Sequence, residues 1–296
     1  MSIVVVTYNS TEYLSRCLAS IVGEGIELVV VDNASPSGDA ELTRREFPQA
    51  RLIELPRNLG FARAANIGVA AATSSWVLLL NPDAWPLEDG VERLLQFGEQ
   101  NPGIAAAGPA LLDPGGRPER STLRAPLSAA SLAAWAAFPG ALTAAYSAWR
   151  RLSAPIRGGG VRAGEFLQGA VLLLRAEAFA QVGGFDEDFF MFGEDADLCE
   201  RLRSAGWRIG LCPAARFVHV GAGSTHAEAE RIYSELLRSW LRLIAKHDGL
   251  RQAERARRWL VRGLRIRAAR SRDAGPRAVA DWLEGVPVAD LLRGPS

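Results

Sequence analysis

The chain has 296 residues, 48% of them hydrophobic and 23% charged, and a net charge of only +1, which is the make-up of an ordinary globular chain able to bury a full core in one large or two small domains. Its three cysteines, Cys17, Cys199 and Cys212, are too few and too scattered for a disulfide framework, and no pair has zinc-ligand spacing. Charge is uneven: Arg231 to Asp273 holds 13 Lys/Arg against 4 Asp/Glu, a net of +9 that leaves about −8 for the remainder, so a basic tail on an acidic body points to a polyanionic surface as partner.

A first strand is expected from Ile3, which leaves no room for a signal peptide, and the chain is read as cytoplasmic. The β-branched run Ile3 to Val6 leads through Thr7-Tyr8-Asn9-Ser10-Thr11 into an amphipathic helix with Leu14, Leu18, Ile21 and Val22 on one face. A second strand, Leu28 to Val31, ends in Asp32-Asn33-Ala34-Ser35-Pro36, and Leu42 to Phe47 fits a short helix. A third, Leu52 to Leu55, passes through Arg57-Asn58-Leu59-Gly60 into a helix over Phe61 to Ala72, and Trp76 to Leu80 is the fourth. Each run is continuously apolar rather than alternating, which predicts a mostly parallel sheet covered on both faces. The polar clusters all fall at the carboxyl ends of strands, where open α/β sheets bind ligands.

Those clusters point to a nucleotide site of a particular kind. The first strand is not followed by G-x-G-x-x-G, and no G-x-x-x-x-G-K-[ST] occurs, so a dehydrogenase and a P-loop enzyme are both disfavoured. Asp32 could hydrogen-bond a base or ribose, with Thr7, Tyr8 and Asn9 lining the same pocket. Turn formation by Asn, Asp and Ser explains each cluster separately but not their joint placement. At the end of the fourth strand, Asp83 in Asn81-Pro82-Asp83 is a carboxylate of the kind that holds Mg²⁺ or Mn²⁺ together with substrate diphosphate oxygens, although such a tripeptide alone is often only a turn.

The densest stretch follows. From Phe185 to Asp197 six carboxylates stand among four aromatics within thirteen residues, behind the pair Gly183-Gly184. Leu198, Leu202 and Ala205 then recur at helical spacing and Gly206 can stop the helix, so Glu194 and Asp195 are expected at a helix N-terminus. Acidic side chains there cap free N–H groups and complement the helix dipole, a structural role. The functional alternative is a general base at the mouth of a cleft. A helix N-terminus lowers a carboxyl pKa, which keeps Asp195 ionised at some loss of basicity.

Ser128 to Trp149 is Ala-rich and nearly long enough to span a membrane, but Pro139-Gly140 interrupts it, so two short helices are expected as an insertion, followed by a flexible connector Arg157 to Gly160 and a strand Phe166 to Leu174. From Arg231 on the pattern is long basic helix with Trp240 and Trp259 on the apolar side. Helices of that kind lie on anionic membrane surfaces. Packing on the body, or a dimer interface, would also account for them, and nucleic acid ranks last because no recognition module accompanies the arginines.

Taken together, Thr7-Tyr8-Asn9, Asp32-Asn33-Ala34-Ser35, Asn58-x-Gly60 with Ala65-Asn66, Leu80-Asn81-Pro82-Asp83-Ala84, Gly169-Ala170, Gly184-Phe185-Asp186-Glu187-x-Phe189-Phe190 and Glu194-Asp195-x-Asp197-Leu198 resemble, in order, the inverting family 2 glycosyltransferases of GT-A fold, in their bacterial rhamnosyltransferase branch. The resemblance covers about residues 2 to 226. It implies a GT-A-like catalytic domain over 1–226 (nucleotide-sugar half 1–110, acceptor half 111–226 with the insertion at 128–150) and a basic helical region over 227–296. It implies that Thr7, Tyr8, Asn9, Asp32, Asn58, Gly60, Asn66 and Asp83 bind the nucleotide-sugar, that Asp83 binds Mg²⁺ or Mn²⁺, with His219 as a second candidate ligand, and that Asp195 is the base, favoured over Glu194 by motif position alone. Many relatives carry Asp-x-Asp at the fourth strand; Asn81 departs from this and leaves one ionised ligand. The expected reaction moves L-rhamnose from a dTDP-sugar to a hydroxyl of a lipid-linked or cell-surface glycan, at the inner face of the plasma membrane. The rivals are a sugar-phosphate nucleotidylyltransferase, which would need a Gly-rich loop and a lysine near the first strand where this chain has only Lys246, and a catalytically silent nucleotide-sugar-binding scaffold.

Overall fold

The computed structural model describes residues 1–119, 123–124, 136–137, 166–221, 226–270 and 275–292. The chain forms two compact units, one of Met1–Arg124, Ile156–Glu187 and Glu194–Gly223, the other of Ala125–Pro155, Asp188–Gly193 and Ser224–Ser296. Apart from residues 136–137, the helices expected over 128–150, with the connector 157–160, lie outside the described residues.

The first unit opens with β1 (Ser2–Thr7), α1 (Thr11–Ala19), β2 (Glu27–Asp32), α2 (Asp39–Glu46), β3 (Arg51–Glu54), α3 (Phe61–Ala71) and β4 (Trp76–Leu80). Ile3, Val4, Val5, Val29, Val30 and Leu78 are fully buried, which is why these strands read as unbroken apolar runs. Helix α3 lies so close to the sheet that a Cβ on Gly68 would stand 2.4 Å from Val4 Cγ1. Strands β1, β2, β3 and β4 are mutually parallel, and their register sets Thr7 beside Asp32 and Val5 beside Leu80. Their polar sequels therefore leave the sheet at one edge.

The second half of the unit adds β5 (Ala84–Leu87), α4 (Gly90–Gln100), β6 (Ile104–Leu112), β7 (Leu123–Arg124), β8 (Phe166–Leu167), β9 (Val171–Arg175), α5 (Ala176–Gln181), α6 (Glu194–Ser204) and β10 (Arg208–His219). The eight-stranded sheet has the order β3-β2-β1-β4-β9-β6-β10-β5. It is mixed: β9 runs antiparallel to both β4 and β6, and β5 antiparallel to β10. The strand expected over Phe166 to Leu174 is two strands, because Phe166–Leu167 pairs with β7 while Val171–Arg175 enters the main sheet. Hydrophobicity records burial but neither strand direction nor a change of partner.

In the second unit α7 (His226–Asp248), α8 (Leu250–Arg270), α9 (Gly275–Gly285) and α10 (Val288–Leu291) build their own core from Leu237, Leu241, Ile244, Leu260, Leu264, Val279 and Leu283. Arg242, only 4% exposed, sends its guanidinium to the carbonyls of Asp188 and Leu292 and over the Phe189 ring, so its buried charge is met by carbonyl dipoles. No helix of the described residues is long and apolar enough to cross a membrane.

Candidate active site

The loops after β1 and β2 are stitched by one carboxylate that sequence reading passed over. Asp39, fully buried at the start of α2, accepts from the Thr7 hydroxyl, the Ser10 N–H at 2.9 Å, the Ser35 hydroxyl at 3.2 Å and the Ser37 hydroxyl at 2.5 Å. Thr7 is thus buried beneath the surface. Tyr8, 43% exposed, and Asn9, at φ 55°, form the outer rim. Asn9 accepts the Ser37 N–H at 3.2 Å and donates its own N–H to Ser35 Oγ at 3.1 Å. Asp32, 5% exposed, accepts the Ser35 N–H; burial pushes its carboxyl pKa up, against the lowering effect of the Ser35 bonds. The buried amide of Asn33 ties in the third loop, donating to Asn58 Oδ1 at 2.9 Å and to the Gly60 carbonyl at 3.3 Å and accepting the Leu59 N–H at 2.8 Å. Thr7, Tyr8, Asn9, Asp32, Asn58 and Gly60 therefore belong to one bonded network.

Asn66 does not. Its amide donates to the Phe185 carbonyl at 2.9 Å and accepts the Phe185 N–H at 2.8 Å, and so clamps the loop Gly184–Glu187. Gly184, at φ 74°, would set a Cβ 2.8 Å from Asn66 Oδ1, which is the physical requirement for glycine there. Phe185 is buried edge-on against Phe61 and Phe179.

Asp83 and His219 meet because β5 and β10 pair antiparallel with His219 opposite Ala84. His219 Nε2 lies 3.6 Å from Asp83 Oδ1, and Nδ1 lies 2.9 Å from Glu119 Oε2 on the hairpin after β6. Burial pulls the imidazole pKa down, but the Glu119 hydrogen bond and the charges of Asp83 and Glu119 outweigh it and hold the pKa above its ordinary value. Glu119, a hundred positions from His219, carried no motif that could have flagged it.

Glu194 and Asp195 open α6, as expected, and both are buried. Asp195 Oδ2 accepts the Gly169 N–H at 3.0 Å and Oδ1 the Ala196 N–H at 2.8 Å. The neighbouring Ala170 carbonyl accepts the Asn81 N–H at 2.8 Å, so the turn carrying Asp83 and the carboxylate of Asp195 are fastened to consecutive residues between β8 and β9. Asp197, two positions on, is committed to Arg201 at 2.7 Å. Glu194 differs from Asp195: its Oε2 is buried without a partner among the described residues, and desolvation, with the charges of Asp195 and Asp197, pushes its pKa up to about 8. A raised acid favours the folded state while protonated. Its contribution is complete below the ordinary 4.5 and lost as pH rises through about 8. Glu194→Gln is accordingly expected to flatten the fall in melting temperature between about pH 4.5 and about pH 8, and to leave the profile above that unchanged; a parallel fall in both proteins across that window would contradict this.

Comparison with known proteins bears on this arrangement. Residues 2–150 match the model of glycosyl transferase family 2, and residues 161–222 that of the N-terminal domain of galactosyltransferase. The N-acetylglucosaminyl-diphospho-decaprenol L-rhamnosyltransferase of Mycobacterium tuberculosis is 31% identical over 284 residues, 89% of each chain. The chain belongs to glycosyl transferase family 2. As a family 2 enzyme it is a glycosyltransferase, and rhamnosyltransferase WbbL of Escherichia coli is a further relative, 33% identical over 82 residues, 28% of this chain and 31% of that one. Two solved structures share the fold: the mannosyltransferase PcManGT of Pyrobaculum calidifontis in complex with GDP-Man and Mn²⁺, at TM-score 0.61 and 18% identity over 98% of this chain and 77% of that one, and S. aureus TarS in complex with UDP, at TM-score 0.53 and 16% identity over 89% and 71%. The GT-A-like fold of the family, a mixed sheet flanked by helices, is the one described above.

Proposed function

We propose that this family 2 enzyme transfers L-rhamnose from a dTDP-sugar, with inversion, to a hydroxyl of a lipid-linked glycan. The observation that carries the reading is the fastening of the Asp83 turn and the Asp195 carboxylate to the adjacent residues Ala170 and Gly169, which couples a diphosphate-binding position to a base position. The Mycobacterium tuberculosis relative, named for an acceptor on decaprenyl diphosphate and for L-rhamnose, supports the donor and acceptor classes.

In this reading the rim formed by Tyr8 and Asn9, with the nearly buried Asp32 behind it, binds the nucleoside, on a floor made by Thr7, Asn58 and Gly60. Asp195 accepts the proton of the acceptor hydroxyl as that oxygen bonds to the anomeric carbon and the bond from that carbon to the diphosphate breaks, releasing the nucleoside diphosphate. Two backbone N–H bonds fix the carboxylate in place, and positioned base catalysis is worth roughly 10²–10⁴-fold. Burial and the neighbouring carboxylates push the Glu194 pKa up to about 8, which favours its protonated form, and Asp195 rather than Glu194 stands at the motif position of the base. A divalent cation, Mg²⁺ or Mn²⁺, supplies charge neutralisation on the leaving diphosphate. The residues fit one: an Asp83 oxygen and a His219 nitrogen face each other and the imidazole is anchored from behind by Glu119, so Asp83 and His219 would hold the ion. His219 would stand in for the carboxylate that Asn81 lacks.

The test is a thermal-shift panel of nucleoside diphosphates and their sugars, with and without Mn²⁺ or Mg²⁺. Ligand at about 100 times its dissociation constant should stabilise by roughly 2.7 kcal/mol. A metal-dependent shift with dTDP compounds, abolished in Asp83→Ala, is the expected result. A shift with another base corrects the donor, and no shift with any nucleotide removes the site assignment.

A further inference from the structure

Helix α8 of the second unit carries a surface that holds none of the candidate site residues. Its 21 residues hold eight arginines against one acid, Glu254. One side, with Ala253, Ala256, Leu260, Val261 and Leu264, packs into the helical core. The other exposes Arg251, Arg255, Arg258, Arg262, Arg265 and Arg270 and no acidic residue. The first five recur at steps of four and three, which places them on one face of a 3.6-residue helix. Between them stand two large apolar side chains, Trp259 at 49% and Ile266 at 47% exposure.

Much of the charge on this face is not neutralised within the protein. Arg258 reaches Glu254 at 3.1 Å, and Arg265 reaches Asp281 at 3.4 Å and Glu284. Arg251, Arg255 and Arg262 have no carboxylate partner among the described residues, and Arg262 lies 5.4 Å from the Trp259 ring centroid. A groove of about 680 Å³ runs along the helix here, lined by Arg255, Arg258, Trp259, Arg262, Arg265 and Glu284.

We propose that this face of α8 docks on the surface of an anionic phospholipid bilayer. From Arg251 to Arg265 the stripe is about 21 Å long at 1.5 Å per residue, far longer than a single phosphate or diphosphate. Exposed indole and isoleucine interleaved with arginine match the boundary between headgroups and acyl chains, where cations meet lipid phosphates and apolar groups sink below them. A duplex or a soluble anion offers nothing to Trp259 and Ile266. The inference deepens the reading of a lipid-carried acceptor, on which its purpose rests, yet the binding is measured without donor, acceptor or metal.

The full chain is sedimented with phosphatidylcholine vesicles with and without phosphatidylglycerol. Wild type should bind the anionic vesicles selectively. Arg251→Gln, Arg255→Gln and Arg262→Gln combined should weaken that binding roughly 100-fold at moderate salt, with the difference from wild type shrinking as salt is raised. Trp259→Ala should weaken binding at every salt concentration, since its contribution is apolar. All four side chains are exposed, so the variants should melt with wild type, which separates lost binding from lost folding. Wild type that fails to bind, a triple variant that binds unchanged, or release of wild type from vesicles by dilute inorganic diphosphate, the mark of a discrete anion site, would each overturn the proposal. A failed nucleotide panel leaves the vesicle result intact, and the reverse holds, so the two readings fail separately.

Discussion

Asp195→Asn is expected to lower kcat/KM by about 10²–10⁴-fold while nucleotide affinity stays within a factor of a few. The substitution keeps side-chain shape and removes proton affinity. It also has a structural consequence that can be stated in advance. Both carboxylate oxygens accept a backbone N–H, from Gly169 and Ala196, and an amide can satisfy only one of them. The other N–H then faces an NH₂ donor in a buried place, at a cost of about 1–3 kcal/mol in stability. A melting curve run beside the kinetics therefore tells a lost base from a loosened loop: the rate should fall much further than the melting temperature accounts for. Activity within a few-fold of wild type would sink the assignment of Asp195 as base. Undetectable transfer in both proteins, with nucleotide still bound, would favour the silent scaffold.

The second large effect is expected at Asp39. Asp39→Ala removes the common acceptor of the Thr7 hydroxyl, the Ser10 N–H and the hydroxyls of Ser35 and Ser37. Of these, Thr7 is fully buried and has no route to water. Bonds to a charged acceptor are worth about 1.5–3 kcal/mol each and orphaned buried donors cost a similar amount, so a loss of about 3–5 kcal/mol is expected. In a protein of this size that is roughly a 10 °C fall in melting temperature. Because the same carboxylate joins the loop after β1 to the loop after β2, nucleotide affinity should drop at least about tenfold even at temperatures where the variant is folded, since a bound ligand must then order both loops. Asp39→Asn, which keeps an acceptor oxygen, should recover part of both losses. A variant that melts like wild type and binds nucleotide normally would show that the loops are held by other contacts.

The contrast between Asp39 and Asp32 explains what could be read in advance. Asp32 ends a strong apolar run and so announces a strand terminus. Asp39 sits seven residues on in a Ser-Gly-rich turn, where any polar residue looks like solvent-facing punctuation, and only its burial reveals the difference. Glu119 was invisible for a different reason: its partner His219 is brought to it by the pairing of β10 with β5 and β6, and no local pattern encodes a contact across that distance. Asn66 was legible as part of a motif but not in its contacts, because an amide between a helix and a Gly-hinged loop satisfies either a ligand or the loop backbone. The division of the Phe166 to Leu174 run belongs with these, since direction and partner leave no trace in hydrophobicity.

By itself the amino-acid sequence determined the strand-helix alternation of the first eighty residues, the helix that begins at Glu194 and the basic amphipathic helices of the carboxyl-terminal region, all of which follow from local periodicity and burial. It also determined the family, because the motif residues at strand ends stand in the family's order along the chain. The tertiary structure alone decided the mixed direction of the sheet, the Asp39 network under the first two loops, the Glu119–His219–Asp83 cluster and the fastening of Asp83 and Asp195 to neighbouring residues. Each of these depends on which distant backbone pairs with which, and that choice is made by the packing of the whole chain rather than by any one segment.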